Sequence, residues 1–111
     1  MKNIDNKVSN LLEIINELRE KCPWDRKQTL DSLKRLTIEE TFELIEAIEI
    51  KDFENIKEEL GDLFLHIVFY SKISSEKKHF DFYDVVDFLI KKLIDRHPHV
   101  FKDVKEISEE Q

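Results

Sequence analysis

The sequence predicts an all-α fold, a four-helix-type bundle with mostly short connections. Three observations predict it. One glycine and two prolines in 111 residues leave too few turn formers for hairpins or a barrel. Apolar residues recur at helical spacing along most of the chain. The composition, 41% hydrophobic and 39% charged, is too apolar for a disordered acidic segment. The length, 111 residues, is that of a single domain, 1–111.

The first helix is expected from about Asn6 to Lys21, with Val8, Leu11, Leu12, Ile15 and Leu18 on one stripe. Cys22-Pro23-Trp24-Asp25 ends it, because proline restricts the residue before it and cannot continue the ladder. A loop over 22–29 follows. Thr29 or Asp31 caps the second helix, which runs to about Ile50. Asp52 caps the third, about Phe53 to Lys77. Asp81, with Asp84 three residues on, opens the fourth, about Phe82 to Asp95, in a capping pattern. Arg96-His97-Pro98-His99 closes it, and a polar tail begins at Lys102, helical or frayed.

On the third helix, Ile56, Leu60, Leu63, Phe64, Ile67 and Val68 form a wide apolar arc, with Leu65 and Phe69 outside it. A helix apolar nearly all round in so short a chain predicts two burial surfaces, one against a partner subunit. The alternative is that Leu65 and Phe69 lie under the first or fourth helix.

Composition excludes several functions. Too few glycines are present for a phosphate-binding glycine-rich loop. The single cysteine, Cys22, rules out an internal disulfide and a four-cysteine zinc site, and it reads as a buried thiol. The N-terminus lacks a signal-peptide core and no stretch approaches a membrane span, so the chain is read as cytoplasmic. With 25 acidic residues against 18 basic and a net charge of -7, polymeric nucleic acid is not an expected partner. A phosphorylated small molecule remains open if a bound cation neutralises it locally.

The strongest chemical signal is acidic residues where a core belongs. With Glu40 at zero on the second helix, Leu33, Leu36, Leu44 and Ala47 all fall within about 40 degrees of it on an ideal wheel. Glu43 lies about 60 degrees to one side, and Glu39 further toward the polar face beside Glu46. A carboxylate in an apolar stripe needs a proton, a cation or a metal. Glu59 and Asp62 repeat the pattern on the third helix, so four carboxylates from two helices can converge. Oxygen-only ligation suits magnesium, with manganese as a substitute. In a chain this acidic, such pairs also arise as an ordinary solvated face. Gly61, between Glu59 and Asp62, is assigned to close packing against another backbone. A di-iron centre needs repeated Glu-x-x-His pairs, and only Glu76–His79 fits. His66, four residues after Asp62, is read as a core-edge histidine.

Trp24 either stacks on a nucleobase or plugs the end of the bundle. Asp25 and Gln28 are local caps or ligand contacts. Lys27, Lys34 and Arg35 stand near the acidic helix and are candidates for phosphate oxygens, or solvated surface charges. Lys91, Lys92 and Arg96 near the fourth helix's C-terminus are favoured by its dipole in any case.

Together these residues resemble the MazG family of nucleoside triphosphate pyrophosphohydrolases, over about Leu18 to Asp103. Cys22-Pro23-Trp24-Asp25 with Gln28-Thr29 looks like the family's N-terminal signature. Glu39-Glu40-x-x-Glu43 and Glu59-x-x-Asp62, with fifteen residues between them, look like its two-part acidic signature. Lys92-Leu93-Ile94-x-Arg96-His97-Pro98-His99-Val100-Phe101 looks like its C-terminal stretch. The resemblance implies hydrolysis of a nucleoside triphosphate between the α and β phosphates, giving a monophosphate and pyrophosphate. It implies that Glu40, Glu43, Glu59 and Asp62 hold magnesium, and that Glu39 is a catalytic base for the attacking water or a second-metal ligand. It implies Trp24, Lys27, Lys34, Lys92 and Arg96 as substrate contacts, and a homodimer with the site near the subunit contact. The chain stops soon after Phe101, short of the longer C-terminal segment many members carry, and His66 stands where a glutamine or other polar residue is expected. Two alternatives stay open: a non-catalytic helical dimer acting as a binding or regulatory module, and a carboxylate-bridged redox protein.

Overall fold

The computed structural model describes residues 4–101; the tail expected from Lys102 lies outside them. The fold is all-α. Five helices run in order: α1 (Ile4–Lys21), α2 (Pro23–Lys27), α3 (Leu30–Glu49), α4 (Phe53–Glu76) and α5 (Phe82–Arg96). A further helical stretch covers 98–101. The expected loop at 22–29 is therefore half helix. Pro23 sits at its N-terminus, where a missing N–H costs nothing, so the proline that stops α1 also starts α2.

The helix starts are set by local chemistry. Thr29, rather than Asp31, caps α3: its Oγ1 accepts from the Ser32 N–H at 3.0 Å, and the Ser32 Oγ accepts from the Thr29 N–H at 2.8 Å. Asp52 caps α4 by accepting from the Asn55 N–H at 3.3 Å. Asp81 and Asp84 form the reciprocal box that opens α5, at 2.9 and 3.0 Å. Two helices end on left-handed residues that are lysine where glycine is usual. Lys51 has φ 56° and Lys78 has φ 62°. In each case the next N–H reaches back into the helix, Asp52 to Ala47 and His79 to Ser74, both at 3.0 Å.

α3 and α4 form an antiparallel pair joined by the short turn at 50–52, and they are the principal packed pair. α1 lies against α2 and α4, while α5 approaches α4 alone. The core is small: Ile15 from α1, Leu33 from α3, and Val68, Phe69 and Ile73 from α4, flanked by Leu11, Leu12, Leu36, Tyr70 and Phe82. α5 buries no residue.

The expected arc on α4 splits: Val68 is buried and Ile56 and Leu63 are half-buried, while Leu65, outside the arc, is exposed. Leu60, Phe64 and Ile67 of the expected arc are exposed, at 52%, 37% and 46%. With Ile56, Leu63 and Val68, the inward side holds Glu59, Asp62, His66, Phe69 and Ile73, all partly or fully buried. Phe69 does lie under α1, beside Ile15. The greasier side of a helix marks the inside only when one side is greasy. Here both are, and the side with the carboxylates faces α3.

Gly61 is also not as expected. A Cβ built there meets nothing within 4 Å among the described residues, so no close backbone approach within this chain requires it. None of the helices is long and apolar enough to cross a membrane among the described residues.

Candidate functional site

On α3, Leu33 and Ala47 are buried, and Leu36, Thr37, Glu40 and Leu44 are half-buried. That stripe is the one the periodicity assigns, and Glu40 lies in its middle. The facing stripe of α4 brings Glu59 opposite it. Glu40, Glu43 and Glu59 each offer a carboxylate oxygen to a group whose members all lie within 4.8 Å of one another. A cation of two positive charges at that spacing touches all three, so the cluster is able to coordinate a metal ion.

The electrostatics point the same way. One oxygen of Glu40 and one of Glu59, the Oε2 of each, are buried without a hydrogen-bond partner among the described residues. An orphaned buried carboxylate oxygen is costly unless a proton or a cation serves it. A proton shared with Glu59 favours the ionised form of Glu40, but burial and the charges of Asp62 and Glu43 outweigh it and raise the pKa. Glu59 is raised first by the proton it shares with Glu40 and then by burial. Glu43 is raised first by its hydrogen bond with Glu59 and then by that residue's charge. Three carboxyls held above their ordinary range on two facing helices are groups waiting for positive charge.

Asp62 is not within the three-residue group. It is half-buried one turn further along α4, and its charge acts on both Glu40 and Glu59. Glu39 is exposed beside the cluster, where it adds to the repulsion on Glu43. A cavity of about 190 Å³, lined by Glu43, Glu46, Ala47, Ile50, Asn55 and Glu59, opens next to the carboxylates. Ligand pockets run to roughly 300–1,000 Å³, so this one is small for a nucleotide. A larger cavity of about 450 Å³ lies between α1, α4 and the start of α5, and includes none of the clustered carboxylates.

Behind the carboxylates lies a polar network that no motif or periodicity in the sequence announces. His66 is buried, and its Nδ1 is 2.9 Å from the Thr37 Oγ1. The same oxygen shares a hydrogen bond with the Tyr70 hydroxyl and donates to the Leu33 carbonyl at 3.2 Å. Burial lowers the His66 pKa, against the pull of Asp62. His66 is thus a core histidine tied to α3. Thr37 was findable: it is a polar residue on the Glu40 stripe, one turn before it.

Trp24, on α2, is 56% exposed and does not plug the bundle. Gln28 is committed to the loop: its Nε2 donates to the Trp24 carbonyl at 2.9 Å and its Oε1 accepts from the Ser32 Oγ at 2.8 Å. Lys27 ends α2 on the surface. Lys34 is exposed and pairs with Asp31 at 3.3 Å. Lys92 and Arg96 are exposed on the last turns of α5. None of these cations is bonded to the carboxylate cluster among the described residues. Cys22 is half-buried and free. Glu76 gives both its oxygens to Arg19, which removes the one Glu-x-x-His pair from consideration as an iron site.

Residues 28–101 match the MazG nucleotide pyrophosphohydrolase domain. The chain is 50% identical over 105 residues to the nucleoside triphosphate pyrophosphohydrolase/pyrophosphatase MazG of Thermotoga maritima, covering 93% of this chain and 41% of that protein. It is 43% identical over 101 residues to the nucleoside triphosphate pyrophosphohydrolase of Escherichia coli, covering 88% of this chain and 38% of that one. The chain thus spans about two fifths of the length of these relatives. In three dimensions it is similar to the crystal structure of a mazG-related protein from Thermotoga maritima, with a TM-score of 0.74 and 29% identity over 84% of this chain and 82% of that one. With the acidic helix pair and the matched span in agreement, the chain belongs to the MazG nucleotide pyrophosphohydrolase family.

Proposed function

We propose that this protein hydrolyses a nucleoside triphosphate between its α and β phosphates, releasing a nucleoside monophosphate and pyrophosphate. The observation that carries this reading is the pair of partnerless buried oxygens on Glu40 and Glu59, within a group of three carboxylates from facing helices. We assign magnesium, with manganese as a substitute, to Glu40, Glu43, Glu59 and Asp62, because an all-oxygen donor set suits a hard cation. When bound, that cation supplies charge neutralisation for the triphosphate and lowers the pKa of water. Glu39, on the solvent side of the cluster, orients the attacking water and takes its proton. The exposed Trp24 ring stacks on the base or sugar. Lys27, Lys34, Lys92 and Arg96 meet phosphate oxygens and hold the bound triphosphate.

Assembly as a homodimer belongs to the same proposal. The accessible surface is 9001 Å², against about 6,500 Å² for a folded monomer of this mass. The radius of gyration is 16.9 Å, against about 13 Å for a compact domain of this length. Leu60 and Ile67 of α4, Phe42 of α3 and Phe88 of α5 are among the exposed apolar residues, and a second subunit covering them stabilises the fold. A cytoplasmic protein acting on free nucleotides, with neither polymeric nucleic acid nor membrane as partner, completes the proposal.

The test is a panel of ordinary and modified nucleoside triphosphates with magnesium, reading pyrophosphate and orthophosphate separately. The proposal expects pyrophosphate alone, lost on Glu40→Gln. Orthophosphate alone, or no turnover of any nucleotide, rejects it. Light scattering is expected to give twice the monomer mass; a monomer at micromolar concentration rejects the dimer.

A further inference from the structure

The five residues of α2 do not make a stable helix by themselves, since nucleation is costly and too few hydrogen bonds follow. Its terminal carbonyls also need donors from elsewhere. Arg19 of α1 provides them. Its Nη1 donates to the carbonyls of Asp25, Arg26 and Gln28 at 2.6, 3.1 and 2.9 Å. The rest of the guanidinium is held from the other side. Its Nε and Nη2 donate to the two oxygens of Glu76, at the end of α4, at 2.8 and 2.9 Å. The guanidinium also lies over the Phe69 ring, 5.8 Å from its centroid, and the side chain is only 14% exposed.

All three nitrogens of the Arg19 guanidinium are thereby engaged, and the three helices α1, α2 and α4 are pinned at one planar group. A lysine offers one point charge and cannot span both sets of acceptors. Gln28 continues the chain of bonds, from its own carbonyl on Arg19 to the Trp24 carbonyl through its Nε2. The segment fixed in this way is the one that carries Trp24 and Lys27.

We infer that Arg19 and Glu76 are positioning residues for the nucleotide: they hold α2 in the one pose that presents Trp24 and Lys27 to substrate. The inference rests on the substrate reading of Trp24 and Lys27 given above. Neither Arg19 nor Glu76 belongs to the carboxylate cluster, so loosening the clasp removes binding and leaves the chemical step. When only a fraction of molecules holds the competent pose, apparent affinity falls by that fraction, and KM rises while kcat holds.

Trp24 is the only tryptophan in the chain, so its fluorescence anisotropy decay reports the motion of α2 with no label and no turnover. The test compares wild type, Arg19→Gln, Glu76→Gln and the exchanged pair Arg19→Glu with Glu76→Arg, all shown helical by circular dichroism. Expected for Arg19→Gln is a fast local component in the Trp24 decay, together with a KM raised about tenfold at nearly constant kcat. Glu76→Gln, which keeps Arg19 on the carbonyls, is expected to show a smaller change in the same direction. The exchanged pair separates positioning from a simple brace between α1 and α4. It restores the ion pair but puts a carboxylate against the carbonyls of α2, so KM stays high.

An unchanged Trp24 decay in Arg19→Gln overturns the inference whatever the enzyme does. So does a loosened Trp24 with an unchanged KM, or rescue by the exchanged pair. If wild type turns over no nucleotide, the functional reading fails and the positioning role falls with it, and the decay still tells whether the clasp holds α2. Where Arg19→Gln does not fold, Glu76→Gln carries the same two readouts.

Discussion

Glu40→Gln separates the cost of the acidic cluster from its use. Without a cation, Glu40 and Glu59 each bury an oxygen with no partner, and Glu40, Glu43 and Glu59 all titrate above their ordinary range. The amide removes one charge from that cluster at nearly constant shape, so the metal-free variant melts higher than wild type. With magnesium the order reverses. A cation at 100 times its dissociation constant stabilises the folded state by about 2.7 kcal/mol. For a chain of this length the unfolding entropy is about 0.23 kcal/mol per degree, so that gain is a shift of about 12 °C in Tm. Glu40→Gln removes a proposed ligand from the middle of the set and is expected to gain less than about 4 °C under the same conditions, near 1 kcal/mol. Scanning calorimetry with and without magnesium chloride at neutral pH reads both effects. A variant that melts lower than wild type without metal, and gains as much as wild type with it, refutes the reasoning.

Three further outcomes follow from the same geometry. The carboxyls of Glu40, Glu43 and Glu59 have folded pKa values above their unfolded ones, so their contribution is present in acid and lost as pH rises through the carboxylate range; the metal-free stability difference between Glu40→Gln and wild type therefore widens from pH 4 to pH 7, and a constant difference contradicts the assignment. Lys51 and Lys78 sit in the left-handed region at φ 56° and 62°, so Lys51→Gly and Lys78→Gly each add about 0.5–1 kcal/mol in urea unfolding, whereas a loss at either position disproves the cap. Gly61→Ala, whose new methyl meets nothing within 4 Å, adds up to about 1 kcal/mol through helix propensity; a loss of stability in urea reveals a neighbour at that face supplied by another chain.

Much of the fold is written in local chemistry and was legible for that reason. Asp52, and Asp81 with Asp84, cap where their side chains reach the first free N–H groups, and that reach is a matter of a few residues. The α3 stripe was equally plain, because Leu33, Leu36, Leu44 and Ala47 recur on one face at helical spacing. Glu40 stood out against that background. α4 was harder. Its two apolar sides look alike on a wheel, and the decision between them is made by α1 and α3, through Phe69 on Ile15 and His66 on Thr37. Those contacts join residues far apart in sequence, and no periodicity encodes them. Periodicity alone therefore groups Leu60, Phe64 and Ile67, which are exposed, with Ile56, Leu63 and Val68, which are not.

α2 was hidden by its length. Five residues are too few for a periodic signal, and the group that holds them, Arg19, lies in the preceding helix. Its partner Glu76 is 57 positions away. At the cluster, spacing identified the carboxylates of α3 and α4 as able to converge. How closely each approaches depends on the offset between the two helices. That offset brings Glu43 to Glu59 and leaves Asp62 one turn further on.

Manganese binding measured by electron paramagnetic resonance tests the central claim most directly, since the free aqueous ion gives a sharp signal that is lost on coordination. The account predicts saturable loss of that signal at neutral pH with wild type, and little loss with Glu40→Gln or Glu59→Gln, both still helical. Equal binding by wild type and both variants would place the ion elsewhere and contradict the account.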